Sequence, residues 1–311
     1  MIKKGGLRML DVAGVSHSFG HKKVLSNISF RIEKGSVLGL VGVNGAGKTT
    51  IIRLAVGLIK LSEGTIRVNG YSLEDNPREY QSKIGAVLEG KQNLYPRMSV
   101  LENLKYFACL RKMKKCNIKD RIEELESDLA IKAFMNKEVY ALSNGMQQKA
   151  AIACSLIHEP ELIFLDEPTL GLDYEAANLI HQYLLKLRKK GKSILITSHD
   201  FNFLNNVVDS ALFLEDGQIR CIQNFKDIDL ENERVNYKVV ISGVHHFDHD
   251  CIISKQITDN YTELILECDK NTGLSDILRI FSDEKVISLE KKETTIKDIY
   301  LNMIGEQKNA K

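Results

Sequence analysis

Residues Gly42-Val43-Asn44-Gly45-Ala46-Gly47-Lys48-Thr49 constrain this chain more than any other stretch. An apolar run, Val37–Val41, leads into them, and Thr50–Leu58 reads as a helix. The segment fits G-x-x-x-x-G-K-[ST] in full, in the strand-to-helix setting that pattern requires. Its glycines let backbone N–H groups turn inward and approach phosphate oxygens, and the helix N-terminus adds positive potential. Gly42, Asn44, Gly45, Ala46, Gly47 and Thr50 are the expected nucleotide-phosphate cradle. Lys48 is expected on the β- and γ-phosphates, and Thr49 on Mg²⁺. A glycine-rich turn that binds nothing is the bland alternative, and Lys48-Thr49 with correct flanks argues against it.

A second motif matches the first. Leu162-Ile163-Phe164-Leu165-Asp166-Glu167 is an apolar strand ending in two acids. An Asp at the end of a parallel strand beside a phosphate loop can hold Mg²⁺, so Asp166 is a candidate metal residue. The next carboxylate, Glu167, can polarise a water as general base. Further strands are expected at Gly64–Gly70 and Ser193–Thr197, and a helix at Glu175–Lys190 stopping at Gly191. Ser99-Val100-Leu101-Glu102 is a capping-box signature; Leu101, Leu104, Ala108 and Cys109 after it share one face. Ile118, Ile122, Leu125 and Leu129 continue the helical spacing. Alternating helices and all-apolar strands predict an α/β fold with a mainly parallel sheet and a helical subdomain at about 90–160.

Near Phe225 the pattern changes. Alternating stretches at Tyr237–Ile241 and Thr262–Glu267, with helices at Leu274–Phe281 and Thr295–Met303, predict a small α+β module over 226–311 with three or four strands. The charge divides at the same place. The whole chain of 311 residues has a formal net charge of +2, but 226–311 hold 12 basic and 17 acidic residues, leaving 31 and 24 in 1–225. A basic half suits an anionic polyphosphate, and an acidic tail argues against DNA or RNA as its partner. The tail is instead a candidate for dimer contacts or regulation. No apolar run is long enough to span a bilayer, and the N-terminus lacks a secretory h-region. The six cysteines form no Cys-x-x-Cys pair and are expected to be reduced, mostly buried, cytosolic thiols.

Between the two motifs lies Leu142-Ser143-Asn144-Gly145-Met146-Gln147, with Ser143 95 residues after Lys48 and 23 before Asp166. Gly171-Leu172-Asp173, Thr197-Ser198-His199-Asp200 and His17-Ser18-Phe19-Gly20 complete a set of six ordered motifs. Over residues 8 to about 222 the chain resembles the ATP-binding cassette family. The resemblance implies that Phe19 stacks on adenine, that Asp173 belongs to the D-loop and that His199 is the switch histidine. It implies a head-to-tail pair of cassettes, identical or different. ATP would lie between one phosphate loop and the partner's signature loop, where Ser143 and the Gly145 N–H meet the γ-phosphate. Binding would close the pair and hydrolysis would reopen it.

Three positions depart from the family pattern. Asn144 stands at a signature glycine position, where tolerance of left-handed backbone would let the loop survive. Met146 replaces the fifth residue of the loop. Glu89 occupies the place of the Q-loop glutamine; it can still ligate Mg²⁺ and adds a negative charge near the γ-phosphate. Glu89-Gly90, Asn93-Leu94-Tyr95 and Glu102-Asn103-Leu104 resemble the ABC-2-type exporter branch. The reading is a Mg²⁺-dependent ATPase subunit at the cytoplasmic face of the membrane, powering a separate integral membrane permease, with no nucleic-acid partner. The permease is expected against the helical block, including the Glu89 loop and Tyr95. The alternatives are a soluble cassette ATPase in translation or DNA repair, a regulatory module holding ATP with little turnover, and an unrelated P-loop kinase or GTPase. A second cassette, a coiled-coil insertion and an Asn-Lys-x-Asp motif, which translation factors, repair proteins and GTPases respectively call for, are absent from this sequence.

Four features have bland readings. His245, His246 and His249 with Asp248 and Asp250 could bind a metal, but a polar turn is favoured. Arg111-Lys112-Met113-Lys114-Lys115, with Lys119 and Arg121, could face anionic lipid or nucleic acid, but reads best as a solvated helix end. Tyr106, Phe107 and Cys109 are expected in the core or against a partner helix. The terminal stretch from Thr294 resembles the closing helix of exporter-subunit tails.

Overall fold

In the computed structural model the described residues are 8–90, 93–225, 234–245, 247, 249, 251–269, 272–282, 284–292 and 295–301. The chain divides into two compact units, Met1–Gln223 and Asn224–Lys311.

The first unit holds two sheets. Long strands β1 (Arg8–Phe19) and β2 (Lys22–Glu33) pair antiparallel and are joined by β4 (Glu63–Val68) and β5 (Tyr71–Ser72) in the order β2-β1-β4-β5. The second sheet carries β3 (Val37–Val41), β6 (Ile84–Val87), β7 (Leu162–Asp166), β8 (Ser193–Thr197), β9 (Ser210–Glu215) and β10 (Gln218–Asn224), ordered β10-β9-β3-β8-β7-β6. Strands β9, β3, β8, β7 and β6 run parallel. Every residue of β3, β7 and β8 is buried, which is why these strands read as unbroken apolar runs rather than alternating ones.

Helix α1 (Lys48–Ala55) follows β3. It starts earlier and stops sooner than the expected Thr50–Leu58. Gly47, at φ 110°, turns the loop straight into the first helical residue. At the other end Tyr80 donates its hydroxyl to the Ala55 carbonyl at 2.5 Å, after which the chain tightens. Helix α2 (Pro77–Lys83) leads into β6. The helical block comprises α3 (Val100–Leu110), α4 (Lys115–Asp128) and α5 (Asn144–Leu156). The Ser99–Glu102 capping box closes in both directions, satisfying two orphan N–H groups at the start of α3. Helices α6 (Tyr174–Lys189) and α7 (Phe201–Val207) flank β8. Among the described residues no helix is long and apolar enough to cross a membrane.

Several sequence expectations fail in this unit. Val100, Asn103, Leu104 and Ala108 form the buried face of α3, so Cys109 is exposed. Of the two places expected for Tyr106, the core is excluded: it is exposed, in an edge-to-face cluster with Tyr95 (4.9 Å) and Phe107 (5.5 Å). A helix only three turns long, with Asn103 Nδ2 bound to the Tyr95 carbonyl, has one side for the core, and the aromatic residues take another. In the basic run Lys112, Lys114, Lys115 and Lys119 are exposed as expected, while Arg111 departs, its guanidinium donating to the Gln81 carbonyl at 2.7 Å and partly desolvated. Of the six cysteines only Cys154 and Cys268 are buried.

In the second unit, β11 (Arg234–Ser242), β12 (Ile252–Ile257), β13 (Tyr261–Asp269) and β14 (Val286–Lys292) form an antiparallel sheet ordered β12-β13-β11-β14. Strict alternation buries Tyr237, Val239, Ile241, Leu264, Leu266 and Cys268 on one face, where Ile277 and Phe281, from and just past α8 (Leu274–Ile280), pack on them. The other face carries the Lys238–Glu263 ion pair at 2.8 Å. A helix runs over 296–301; residues 302 and 303 of the expected span lie outside the described residues. Of the histidine cluster, His246, Asp248 and Asp250 also lie outside them. His245 reaches Glu284 at 3.1 Å and the Ser242 carbonyl at 2.8 Å.

Candidate active site

The phosphate loop is held from behind. A Cβ on Gly42 would lie 2.3 Å from the Leu214 carbonyl oxygen, and one on Gly47 2.6 Å from Leu25 Cδ2. The Ala46 carbonyl accepts from Gly217 N–H at 3.2 Å, in the Asp216-Gly217 turn between β9 and β10. Asn44 and Gly45 are exposed while Ala46, Gly47 and Lys48 are buried. Gly42→Ala is therefore expected to lower the unfolding free energy by about 1–3 kcal/mol, because the new methyl meets backbone rather than a mobile side chain. A denaturant melt of the nucleotide-free variant reads this directly.

Lys48 folds back, donating to the carbonyls of Gly42 (2.7 Å) and Val43 (3.2 Å). Burial lowers its pKa, opposed by the charges of Glu167, Asp166 and Glu89. One ammonium thus faces three carboxylates. Thr49 Oγ1 donates to Asp166 Oδ1 at 3.3 Å, joining loop to strand end.

The strand end is organised by a residue the sequence reading did not single out. Thr197, the last residue of β8, donates its hydroxyl to Asp166 Oδ1 at 2.7 Å and accepts from Glu167 N–H at 2.9 Å. Its signal was available: a hydroxyl closing an otherwise apolar strand, two residues before His199. Glu167 has φ 50° and is 8% exposed. Its Oε2 accepts from His199 N–H at 3.3 Å, and His199 Nε2 lies 3.2 Å from Oε1, an ion-pair distance without hydrogen-bond geometry. Burial raises the Glu167 pKa, against the pull of His199 and Lys48. Asp166 Oδ2 is buried with no hydrogen-bond partner. A buried anionic oxygen left without a donor fits a hard divalent cation, and the Thr49 hydroxyl beside it is the matching ligand type.

Glu89 is exposed on the loop after β6, which Asn93 staples by accepting from Leu88 N–H (2.9 Å) and donating to the Leu88 carbonyl (2.7 Å). Glu89, Asn144, Gln147, Asp166, Glu167 and Leu170 line one cavity of about 250 Å³. Lys48, Thr49, Glu89, Asp166, Glu167 and His199 are thus gathered around one place. Other expected residues are engaged elsewhere. Phe19 is half exposed at the end of β1, edge-on to His17 at 4.8 Å. Ser143 N-caps α5, accepting from Met146 N–H at 3.3 Å. Asn144 sits in the first turn of α5 with ordinary helical backbone, so its tolerance of left-handed conformation is not used. A Cβ on Gly145 would lie 3.1 Å from Ala176 Cβ, so this position is set by close approach to α6. Asp173 caps α6, accepting from Ala176 N–H at 2.8 Å.

Comparison with known proteins agrees with this geometry. The "ABC transporter" family model matches residues 25–170. The ABC transporter ATP-binding protein NatA of Bacillus subtilis is 38% identical over 215 residues, covering 68% of this chain and 87% of the relative. The chain belongs to the ABC transporter ATP-binding protein family. A second B. subtilis relative, the uncharacterised ABC transporter ATP-binding protein YhcH, is 30% identical over 96% of this cassette chain and 97% of its own length. Nod factor export ATP-binding protein I of Rhizobium leguminosarum bv. viciae is 38% identical over 67% of each chain. Among solved structures, the dimeric post-hydrolysis state of the ATP-binding cassette MJ0796 bound to ADP and Pi superposes with a TM-score of 0.63 at 26% identity, covering 70% of this cassette chain and 98% of that one.

Proposed function

We propose that this cassette is a Mg²⁺-dependent ATPase that works in a pair and powers a separate membrane permease of the ABC-2 exporter type from the cytoplasmic face of the membrane. The observation that carries the hydrolytic reading is Glu167: a buried carboxylate, raised in pKa, held by His199 and adjacent to the Lys48 loop. Thr49 and Asp166, with Glu89 across the cavity, would hold Mg²⁺, which when bound neutralises charge on the transferring phosphate. Lys48 exchanges its two carbonyl acceptors for β- and γ-phosphate oxygens. Gly42, Asn44, Gly45, Ala46, Gly47 and Thr50 surround the phosphates, and Phe19 offers its exposed ring to the base. Glu167 takes the proton of the attacking water, and His199 holds Glu167 and the γ-phosphate side of the site in register. Ser143 and Gly145 would serve the partner's nucleotide, supported by the paired cassette in the MJ0796 structure. The export direction rests on the name of the Nod factor relative and on the Glu89-Gly90, Asn93-Leu94-Tyr95 and Glu102-Asn103-Leu104 stretches.

The pH dependence follows from the sign of the Glu167 shift. A base works deprotonated, so turnover is present above its pKa and lost as pH falls through it. The acidic limb of kcat is expected to be centred above the ordinary glutamate value. Stability runs the other way: with the folded pKa raised, the contribution of this group is full at low pH and lost as pH rises through that value. A pH–rate profile with no acidic limb, or one at the ordinary glutamate position, would remove Glu167 from the role of base.

A second reading, a cassette that holds ATP with little turnover, draws on Glu89 as a third carboxylate in the cavity. Steady-state phosphate release from the full chain with its partner separates the two. For the permease, the test is co-purification with a multi-span membrane protein encoded beside this chain.

A further inference from the structure

Cys268 lies on the inner face of β13, in line with Leu264 and Leu266, and is 8% exposed. Cys251 immediately precedes β12, whose first residue Ile252 pairs with Leu266, and the Cys251 carbonyl accepts from Glu267 N–H at 2.7 Å. A regular strand would turn residue 251 to the outer face with Glu267. The chain instead bends there, and Cys251 packs against the same apolar cluster as Cys268. The Cys251 thiol lies close enough to Cys268 to bear on its ionisation, with no bond between the sulfurs.

We propose that Cys251 and Cys268 are an oxidant-responsive dithiol that closes to a disulfide within the second unit. Thiols packed on one apolar cluster, on segments already joined by the Glu267–Cys251 backbone hydrogen bond, are placed to close to the S–S distance of about 2.05 Å. Their exposure assigns the order of events. Cys251 is half-buried and Cys268 buried, so a hydroperoxide reaches Cys251 first. The Cys251 sulfur attacks one peroxide oxygen: the S–O bond forms, the O–O bond breaks and water leaves, giving a sulfenic acid. The Cys268 sulfur then attacks Cys251: the S–S bond forms, the S–O bond breaks, and a second water leaves with the Cys268 proton. Two thiols and one hydroperoxide thus become one disulfide and two hydroxyl products, water from hydrogen peroxide. Burial, with Cys251 beside it, raises the Cys268 thiol above its ordinary value, so less of it is thiolate for the first attack on the peroxide. The bridge would tie the segment before β12 to β13, fixing the approach to the sheet edge.

The test uses the full chain, treated with excess hydrogen peroxide, alkylated under denaturing conditions, digested and analysed by mass spectrometry. The expected product is a Cys251–Cys268 cross-linked peptide with an intact-mass loss of about 2 Da, reversed by dithiothreitol. Cys251→Ser should leave Cys268 open to alkylation. Cys268→Ser should leave a sulfenic acid at Cys251 that dimedone captures. The proposal is overturned if both thiols of the wild-type chain remain alkylatable after oxidation. It also fails if Cys251 bridges to a different cysteine, or goes on to sulfinic acid without bridging. Because the wild-type digest decides, poor folding of either variant leaves the result readable.

Discussion

Replacing Glu167 by Gln is expected to lower kcat by about 10²–10⁴-fold, the range that a positioned general base supplies. Binding of ATP should change by no more than a few-fold, because Gln keeps the volume and can still accept from His199 N–H. The charge on Glu167 costs stability in its buried position, so the nucleotide-free variant should melt no lower than the parent, and higher at neutral pH. If hydrolysis reopens the paired cassettes, the variant should accumulate as an ATP-bound dimer on size-exclusion chromatography. Wild-type phosphate release from a variant that still binds ATP would place the base elsewhere. Combined with the pH profile, the variant gives a second control: its residual rate should lose the acidic limb.

Replacing Lys48 by Ala is expected to weaken ATP binding by about 10²-fold or more, the loss of one or two charge-assisted hydrogen bonds at about 1.5–3 kcal/mol each. The variant also removes the one ammonium that faces Glu167, Asp166 and Glu89 together. With that cation gone, the triphosphate and the three carboxylates would have only backbone N–H groups and metal to balance them. Titration calorimetry with ATP, with and without Mg²⁺, measures both parts. Retained micromolar binding in the absence of Mg²⁺ would show that the backbone cradle alone carries the affinity. The nucleotide-free fold should lose stability as well, since Lys48→Ala leaves the buried Gly42 carbonyl without its donor.

Much of this site could be read from the chain before folding, for a physical reason. Phosphate loops and strand-end carboxylates depend on contiguous residues: glycines at fixed offsets, an apolar run, a polar terminus. Val37–Val41 and Ser193–Thr197 match the observed strands to the residue, and the Ser99–Glu102 box closes as expected, because each is set by local hydrogen bonding or by burial on both faces. What was missed depends on distant chain segments. The hydroxyl of Thr197 is visible in the chain, but the carboxylate it serves is not, because that depends on β8 lying beside β7. The sequence of Asn144 and its neighbours suggests a loop in which left-handed backbone matters; Ser143 as N-cap makes it the first turn of a helix instead. Cys109 and Tyr106 show the limit of periodicity: α3 has apolar residues on more than one side, and only the core decides which side is inward. The contact of the Cys251 and Cys268 thiols, 17 positions apart, needed the bend before β12.

The turn at Asp216-Gly217 sets where this protein can be cut. Gly217 N–H reaches the Ala46 carbonyl and the Gly217 carbonyl accepts from Ser26 N–H at 2.8 Å, so the last hairpin of the first unit clasps the phosphate loop and β2 together. The Leu214 carbonyl presses on Gly42 from the same hairpin. A shortened cassette ending before residue 217 would lose this clasp and, with it, the shape of the nucleotide cradle, although every nucleotide motif in the sequence lies upstream. One ending after Asn224 keeps the whole of β10 and the clasp intact. For dissection of the two units, domain exchange between relatives, or fusion of a reporter, the serviceable junction therefore lies after β10 and before β11, not at the last recognisable motif.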